Sequence, residues 1–452
     1  MLTYDRATKT NFTMHVWYQY SMHDFLAYGL FSAWCVHGKF PCPTCKADVM
    51  FTWLAKGGKY SSFDKHRQFL KEDDPLRLDK KHFTKGVQVT GPIPKEKSPA
   101  DILAQIAALE VDDNGGFKGY GTDHMWTHIL GLTRLPYYKD LLLPHNIDVM
   151  HTEKNIAEAL WATLLDIGKK SKDNVKARLD IETICDRPNL VMKTPAPGKR
   201  WKKGPADYIL KRQHRKEALE WLSKLRFPDG YAANLSRGVN LLTGKVLGMK
   251  SHDFQIWIER LLPVMTRGYL PEPVWRVLAE LSFFFRQLCS KELSRDVCLE
   301  LEEAAPKLLC KLEMIFPPGF FLSMQHLILH LPREARLGGP VQHRWCYPIE
   351  RCLKLLRKKC KNKAKIEAFV AEAFILEEVS TCTQAYYTEK LTRPRDPIPR
   401  YNIDENSCPL SLFRGDLGRA GVGTPRYLQH DEWHTIMMYL LLNLEETIDY
   451  QE

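Results

Sequence analysis

The sequence predicts a mainly α fold with a small α/β part at the N-terminus. Three observations carry this. From about residue 155 onward, apolar residues recur at helical spacing in one segment after another. Before that, Phe12–Tyr20 (FTMHVWYQY) is aromatic and β-branched with partial alternation, the pattern of a strand. The composition, 44% hydrophobic and 26% charged over 452 residues, is that of a folded chain and excludes disorder throughout. At roughly 150 residues per domain, the length predicts about three domains.

The elements follow in order. A turn-rich segment after the strand carries Cys42-Pro-Thr-Cys45. Residues 71–100 are polar and hold Pro75, Pro92, Pro94 and Pro99, so they read as a loop. Asn155 and Glu158 have capping-box spacing. Ile156, Leu160, Leu164 and Ile167 continue that helix to a stop at Gly168. Thr194–Pro205 is basic and rich in Pro and Gly, an exposed connection. Tyr208–Phe227 predicts a basic amphipathic helix ended by Pro228-Asp229-Gly230. Further helices are predicted near 252–267, 272–291, 296–315 and 346–380. Pro394–Pro425 reads as loop, and Asp431–Thr447 as a last helix.

Several functional classes fall away early. No apolar run reaches the ~18 residues of a membrane span; Ile436–Leu442 and Leu281–Phe285 are far too short. The opening MLTYDRATKTNF has no apolar signal core, which argues against secretion. Twelve cysteines are too sparse for a disulfide scaffold, and in a reducing compartment close pairs suggest metal. The net charge of +11 permits a polyanionic partner.

Cys42 and Cys45 are half of a tetrahedral zinc site, because the short spacing lets two thiolates reach one ion from a tight turn; a chance pair of thiols is the equal alternative. His326-x-x-x-His330 would place two imidazoles on one helix face, or be two partly buried histidines in QHLILHL. His66 and the pair Asp148 and His151 are weaker candidates for the missing ligands. Asp24, at the end of the predicted strand, suits a metal-binding carboxylate but is first of all a turn residue. Glu350 and Glu153 each fit a carboxylate near a helix N-terminus. The run Arg357–Lys365 (RKKCKNKAK) reads equally as a phosphate-contacting or import signal and as a solvated helix end.

Taken together, the strings resemble the transposases of plant CACTA (En/Spm) DNA transposons. The resemblance lies in YQYSMHDFLAYG (18–29), GKFPCPTC (38–45), HRQFL (66–70), HNIDVMHTEKN (145–155), LLDIGKKSKD (164–173), PDGYAANLSRGVNL (228–241), KSHD (250–253), IFPPGF (315–320), HLILHLPREARLGGP (326–340) and RWCYPIER (344–351). These run in consistent order over roughly residues 4–390.

The resemblance implies a DDE transposase with an RNase H-like core interrupted by a large all-helical insertion. It divides the chain into four parts. Residues 1–50 are a partial RNase H-like core with the CxxC, and 51–270 the helical insertion. Residues 271–390 are a helical domain of unknown function carrying HxxxH and the catalytic glutamate, and 391–452 a loop-rich tail with a last helix. Three carboxylates would hold two Mg²⁺ ions for attack on phosphodiesters. Carried over by position, Asp24 matches the second catalytic aspartate. The wider group, including the catalytic core of the V(D)J recombinase, has similar CxxC and HxxxH strings at comparable places. That likeness makes Cys42, Cys45, His326 and His330 a structural zinc site and Glu350 the catalytic glutamate, with Glu153 as runner-up. Asp148-x-x-His151 resembles a further D/CxxH string of the group.

Only 23 residues precede Asp24, too few for three strands and a helix. The expectation is therefore a chain that begins inside the core, lacks the first aspartate and is a relic without autonomous activity. The rival expectation is a non-catalytic, zinc-stabilised DNA-binding or protein-interaction module. The implied partners are transposon-end DNA and other transposase chains in the nucleus, with no membrane. The expected DNA contacts are Lys199, Arg200, Lys202, Lys203, Arg357, Lys358, Lys359 and Lys361.

Overall fold

The structure is a computed structural model. It describes residues 2–113, 115–197, 199, 201–227, 231, 232, 234–360, 365–384, 386 and 428–444. The chain forms two compact units; the first is Met1–Phe227 with Ala232–Arg351, and the second takes in Tyr231 and the described residues from Cys352 on.

In the first unit β1 (Leu2–Asp5) and β2 (Thr10–Thr13) form an antiparallel hairpin. The strand predicted over 12–20 therefore stops after two residues. Its aromatic pattern reflects packing rather than pairing: the Trp17 ring lies 4.3 Å from that of Tyr137. β3 (Ser21–His23) leads into α1 (Phe25–Phe31), which Asp24 caps by accepting from the Ala27 N–H at 2.8 Å. β4 (Thr52–Leu54) and β5 (Lys59–Ser61) make a second hairpin.

Two short helices follow. α2 (Pro75–Leu78) lies wholly inside the predicted loop and α3 (Pro99–Ala107) begins at its end. Both start on a proline, which a first helical position accommodates, and α3 has a full Ser98/Asp101 capping box.

β6 (His145–Ile147) pairs parallel with β3 in the register Ser21–His145, Met22–Asn146, His23–Ile147. It is the only parallel pair of strands among the described residues. α4 (Val149–Leu164) begins immediately after it. Asp148 is its N-cap, so Asn155 is a helix-interior residue and the capping box predicted there does not form. Glu158 instead faces Lys154 and Lys170 at 3.4 and 3.1 Å.

α5 (Val175–Ile184), capped by Asn174, was not anticipated. The predicted basic helix is α6 (Arg212–Lys224). β7 (Val239–Asn240) and β8 (Lys245–Val246) form a small hairpin. α7 (Ser251–Ile256) runs through one π turn at Trp257–Leu261 into α8 (Leu262–Thr266). α9 (Glu272–Leu288), α10 (Arg295–Ile315), α11 (Ser323–Leu327) and α12 (Leu331–Gly338) complete the body.

The helix predicted over 346–380 is two helices. α13 (Tyr347–Lys359) starts in the first unit and reaches into the second, which also holds α14 (Ile366–Gln384) and α15 (His430–Asn443). The Pro228-Asp229-Gly230 stop, the loop over 394–425 and the predicted end at Thr447 lie outside the described residues.

Helices dominate, and all four sheets among the described residues have two strands, so the fold is mainly α. The main core joins β6 to α4, α9 and α10 through Ile147, Leu160, Leu164, Leu278, Phe285 and Leu309, all fully buried. Trp161 and Trp257 meet edge to face at 5.0 Å. Each such burial contributes about 1.5–3 kcal/mol.

Polar groups also stitch this body. Arg178 on α5 grips Asp173 through Nε (2.5 Å) and a second nitrogen (2.8 Å) and donates to the Leu190 carbonyl. Both side chains are within 1% of full burial. Removing one partner of a buried pair strands the other charge. Arg178→Leu is therefore expected to lower stability by about 3 kcal/mol, with Lys203 at 3.5 Å left as a partial counter-charge to Asp173. The urea unfolding midpoint measures this, and an unchanged midpoint refutes it.

Candidate functional site

Two clusters of metal-ligating side chains are built around the N-terminal segments. The first is sulfur- and nitrogen-rich. Cys42 opens a tight turn in which the Lys46 N–H donates to the Cys42 carbonyl at 2.9 Å, and Lys46 takes a left-handed φ of 53°. The turn brings both thiols to one side, against Val49 and Phe51. His326 lies near the end of α11 and His330 directly precedes α12. The two imidazoles thus straddle a helix break instead of sharing one regular helix face, with ring centroids 5.3 Å apart.

Cys42 Sγ is 3.4 Å from His330 Nε2, and Cys45 Sγ is 3.3 Å from the Nε2 of both His326 and His330. All four donors are buried and lie within 4.8 Å of one another. Two thiols and two imidazoles, each presenting its ligating atom inward, fit a closed tetrahedral zinc site. The buried cluster could hold a metal such as zinc.

Left to themselves the four groups share protons unequally. Burial opposes ionisation of Cys42, but the Cys45 thiol and the imidazoles of His330 and His326 hold its pKa well below the usual range. Burial and the neighbouring Cys42 push Cys45 up. Burial lowers His326 to about 4. His330, also desolvated, is nevertheless raised to about 10 by Cys42 and Glu96.

Glu96 carries no sequence signal that would single it out. It sits in the Pro-rich stretch, accepts from His330 Nδ1 at 3.4 Å and is itself held by Arg333. A carboxylate on the second ring nitrogen is the arrangement that orients a metal-bound histidine.

His66, a weaker zinc candidate, stacks on His326 at 5.4 Å. Its Nδ1 is taken by Glu313 at 2.6 Å, and burial drives its pKa down to about 3.

The second cluster forms where β3 and β6 end. The register carried one residue further sets Asp24 beside Asp148, and the Asp148 N–H donates to the His23 carbonyl at 2.7 Å. Asp148 is fully buried; its Oδ1 accepts from the Met150 and Cys346 N–H groups, both at 3.2 Å, and its Oδ2 from His151 Nδ1 at 2.5 Å. His151 Nε2 lies 3.0 Å from Glu350 in the first turn of α13. The hydrogen bond to Asp148 outweighs desolvation and raises the His151 pKa, with further help from Glu350 and Asp24. Asp148 and His151 thus pair with each other and with Cys346, not with Cys42 and Cys45.

Glu153 is buried deeper, 1% exposed, beside Glu259 of the π turn and Cys289, and burial raises its pKa strongly. Of the expected DNA contacts, Lys199 and Lys202 are exposed, as are Arg357 and Lys358 of the second unit. Lys203 is engaged with Asp166 at 2.5 Å and the Asp173 carbonyl at 2.7 Å. Arg200, Lys361 and the side chain of Lys359 lie outside the described residues. A groove of about 710 Å³ along α4 is lined by cations that sequence reasoning did not pick: Lys154, Lys169, Lys170, Arg215 and Lys245.

Residues 1–109 match the profile of the transposase family tnp2, and residues 288–401 match a domain of unknown function, DUF4218. No curated protein and no solved structure matches the chain. The two matches support a transposase-family protein, a class that acts on DNA. No helix among the described residues is long and apolar enough to cross a membrane.

Proposed function

We propose that this chain is a transposase-like protein of the plant CACTA (En/Spm), DDE type, a relic that binds transposon-end DNA in the nucleus without cutting it on its own, with zinc pinning its helical body to an RNase H-like core. The observation that supports the reading best is the carboxylate cluster: the β3–β6 register sets Asp24 beside Asp148, whose partner His151 reaches Glu350 on α13 at 3.0 Å. The match of residues 1–109 to the tnp2 family, which contains Asp24, Cys42 and Cys45, gives that cluster its context.

Asp24 and Glu350 are the residues that would hold a divalent ion such as Mg²⁺. Bound there, the ion supplies Lewis acidity toward water and phosphodiester oxygens. Asp24, half-buried, keeps one oxygen on the Ala27 N–H, which fixes its carboxylate at the strand end. Glu350, half exposed, faces outward, where a DNA strand could approach it.

A second reading, a non-catalytic zinc-stabilised DNA-binding or protein-interaction module, is favoured by one feature. Asp148, the third carboxylate here, has both oxygens occupied by N–H donors.

The first reading, and the DNA-binding form of the second, require DNA. Binding to a duplex of the element's ends should weaken as salt rises, by close to one unit of log K per log unit of salt for each phosphate contact. Lys169→Glu with Lys170→Glu should weaken it at every sequence tested and flatten that slope. Fluorescence anisotropy from about 50 to 200 mM salt measures both. Binding that is absent at low salt, or indifferent to salt, refutes the proposal.

A further inference from the structure

We infer that Asp148 and His151 form a positioning dyad that aims the Glu350 carboxylate at its metal; the inference rests on the proposed role of Glu350. Asp148 is a hub at the end of β6. Through Oδ1 it caps α4 at the Met150 N–H and holds the Cys346 N–H. The Cys346 carbonyl in turn accepts from the Glu350 N–H at 2.8 Å. One carboxylate therefore fixes both the start of α4 and the backbone from which Glu350 projects.

Through Oδ2 the same group holds His151 Nδ1 at 2.5 Å, and the other ring nitrogen reaches Glu350 Oε1 at 3.0 Å. Glu350 is thus set by two routes from Asp148, one through backbone and one through the imidazole. The surroundings make the hub stiff. Asp148 is fully buried, and β6 is anchored by Glu334 accepting from the Ile147 N–H at 3.0 Å and by Arg344 donating to Asn146.

The side-chain route matters because Glu350 is 48% exposed and has rotamer freedom of its own. Without a partner, an exposed glutamate samples many positions, and a metal must then order it. An imidazole held rigidly on a buried aspartate removes that freedom in advance. This is the outer-shell arrangement by which hydrogen-bonded neighbours orient ligating carboxylates, and its loss typically weakens metal binding 10–100-fold. It also gives the spacing Asp148-x-x-His151 a physical reason: three residues on one helix turn bring cap and ring to the same side.

The test is Mn²⁺ affinity of the full chain by electron paramagnetic resonance, with thermal unfolding measured alongside. His151→Leu is expected to weaken Mn²⁺ binding about tenfold, with a modest fall in melting temperature because Asp148 Oδ1 keeps the Met150 and Cys346 N–H groups while Oδ2 loses its partner. His151→Gln, whose amide can still donate to Glu350, is expected to recover most of the loss. His151→Leu with parental affinity, or His151→Gln as weak as His151→Leu, overturns the dyad alone. A parent chain that takes up no Mn²⁺, or takes it up equally as Glu350→Gln, overturns the metal role of Glu350 and the dyad with it.

Discussion

Cys42→Ser or Cys45→Ser should abolish stoichiometric zinc and lower the melting temperature by about 5 °C. The thiols, His326 and His330 come from segments some 280 residues apart and are all buried. An ion there ties the turn after α1 to the break between α11 and α12. Loss of a structural metal is among the few single changes that cost more than about 4 kcal/mol. At roughly 1–2 °C per kcal/mol for a body of this size, that gives the expected shift. Zinc uptake must also release protons, because ligands bind as thiolate and neutral imidazole. His330, held up to about 10, and Cys45, held above its usual range, both carry a proton at pH 7. Zinc affinity should therefore fall as the pH is lowered, and zinc addition to weakly buffered protein at pH 7 should acidify it. Elemental analysis showing zinc retained in both serine variants would remove the site.

Some of this site was legible in the sequence, and the reasons are local. Cys42 and Cys45 announce themselves because three residues of turn dictate that two thiols meet. His326 and His330 were visible as a pair, although the break between α11 and α12 was not. Glu96 was invisible, since only the tertiary fold brings a Pro-rich loop to His330. The cap at Asp148 was masked by Asn155 and Glu158, which imitate a capping box seven residues later. The true start is set by the end of β6, a three-residue strand too short to leave a periodic trace. Likewise Phe12–Tyr20 looked like a strand because aromatic residues that pack on a neighbour and aromatic residues that pair look the same in one dimension. The helical body was the easiest part to read, with α9 and α10 within a few residues of their predicted bounds, because long amphipathic periods survive any context.

The carboxylate cluster leads to the second large expectation: purified protein should show no Mg²⁺- or Mn²⁺-dependent nicking of its cognate transposon ends. Two-metal phosphoryl chemistry needs ions ~3.5–4 Å apart with attacking and leaving oxygens both clamped. That geometry wants a carboxylate free to bridge the ions. In the proposed reading Asp24 and Glu350 would serve one ion. Asp148 stands beside Asp24, but its oxygens already accept from Met150, Cys346 and His151, and freeing them would uncap α4 and release α13. Asp5 is no substitute, since it sits on the exposed β1–β2 hairpin and binds Ala7 and Thr8. One ion bound and no cleavage is therefore the expected pair of results. Robust cleavage that disappears with Asp24→Asn would overturn this and would mean that Asp148 leaves its cap to bridge. If Glu350→Gln left such cleavage intact while Glu153→Gln abolished it, the glutamate would have to be reassigned. The burial of Glu153 beside Glu259 and Cys289 argues against that outcome, because a carboxyl 1% exposed and pushed toward its protonated form is poorly placed to meet DNA-bound metal.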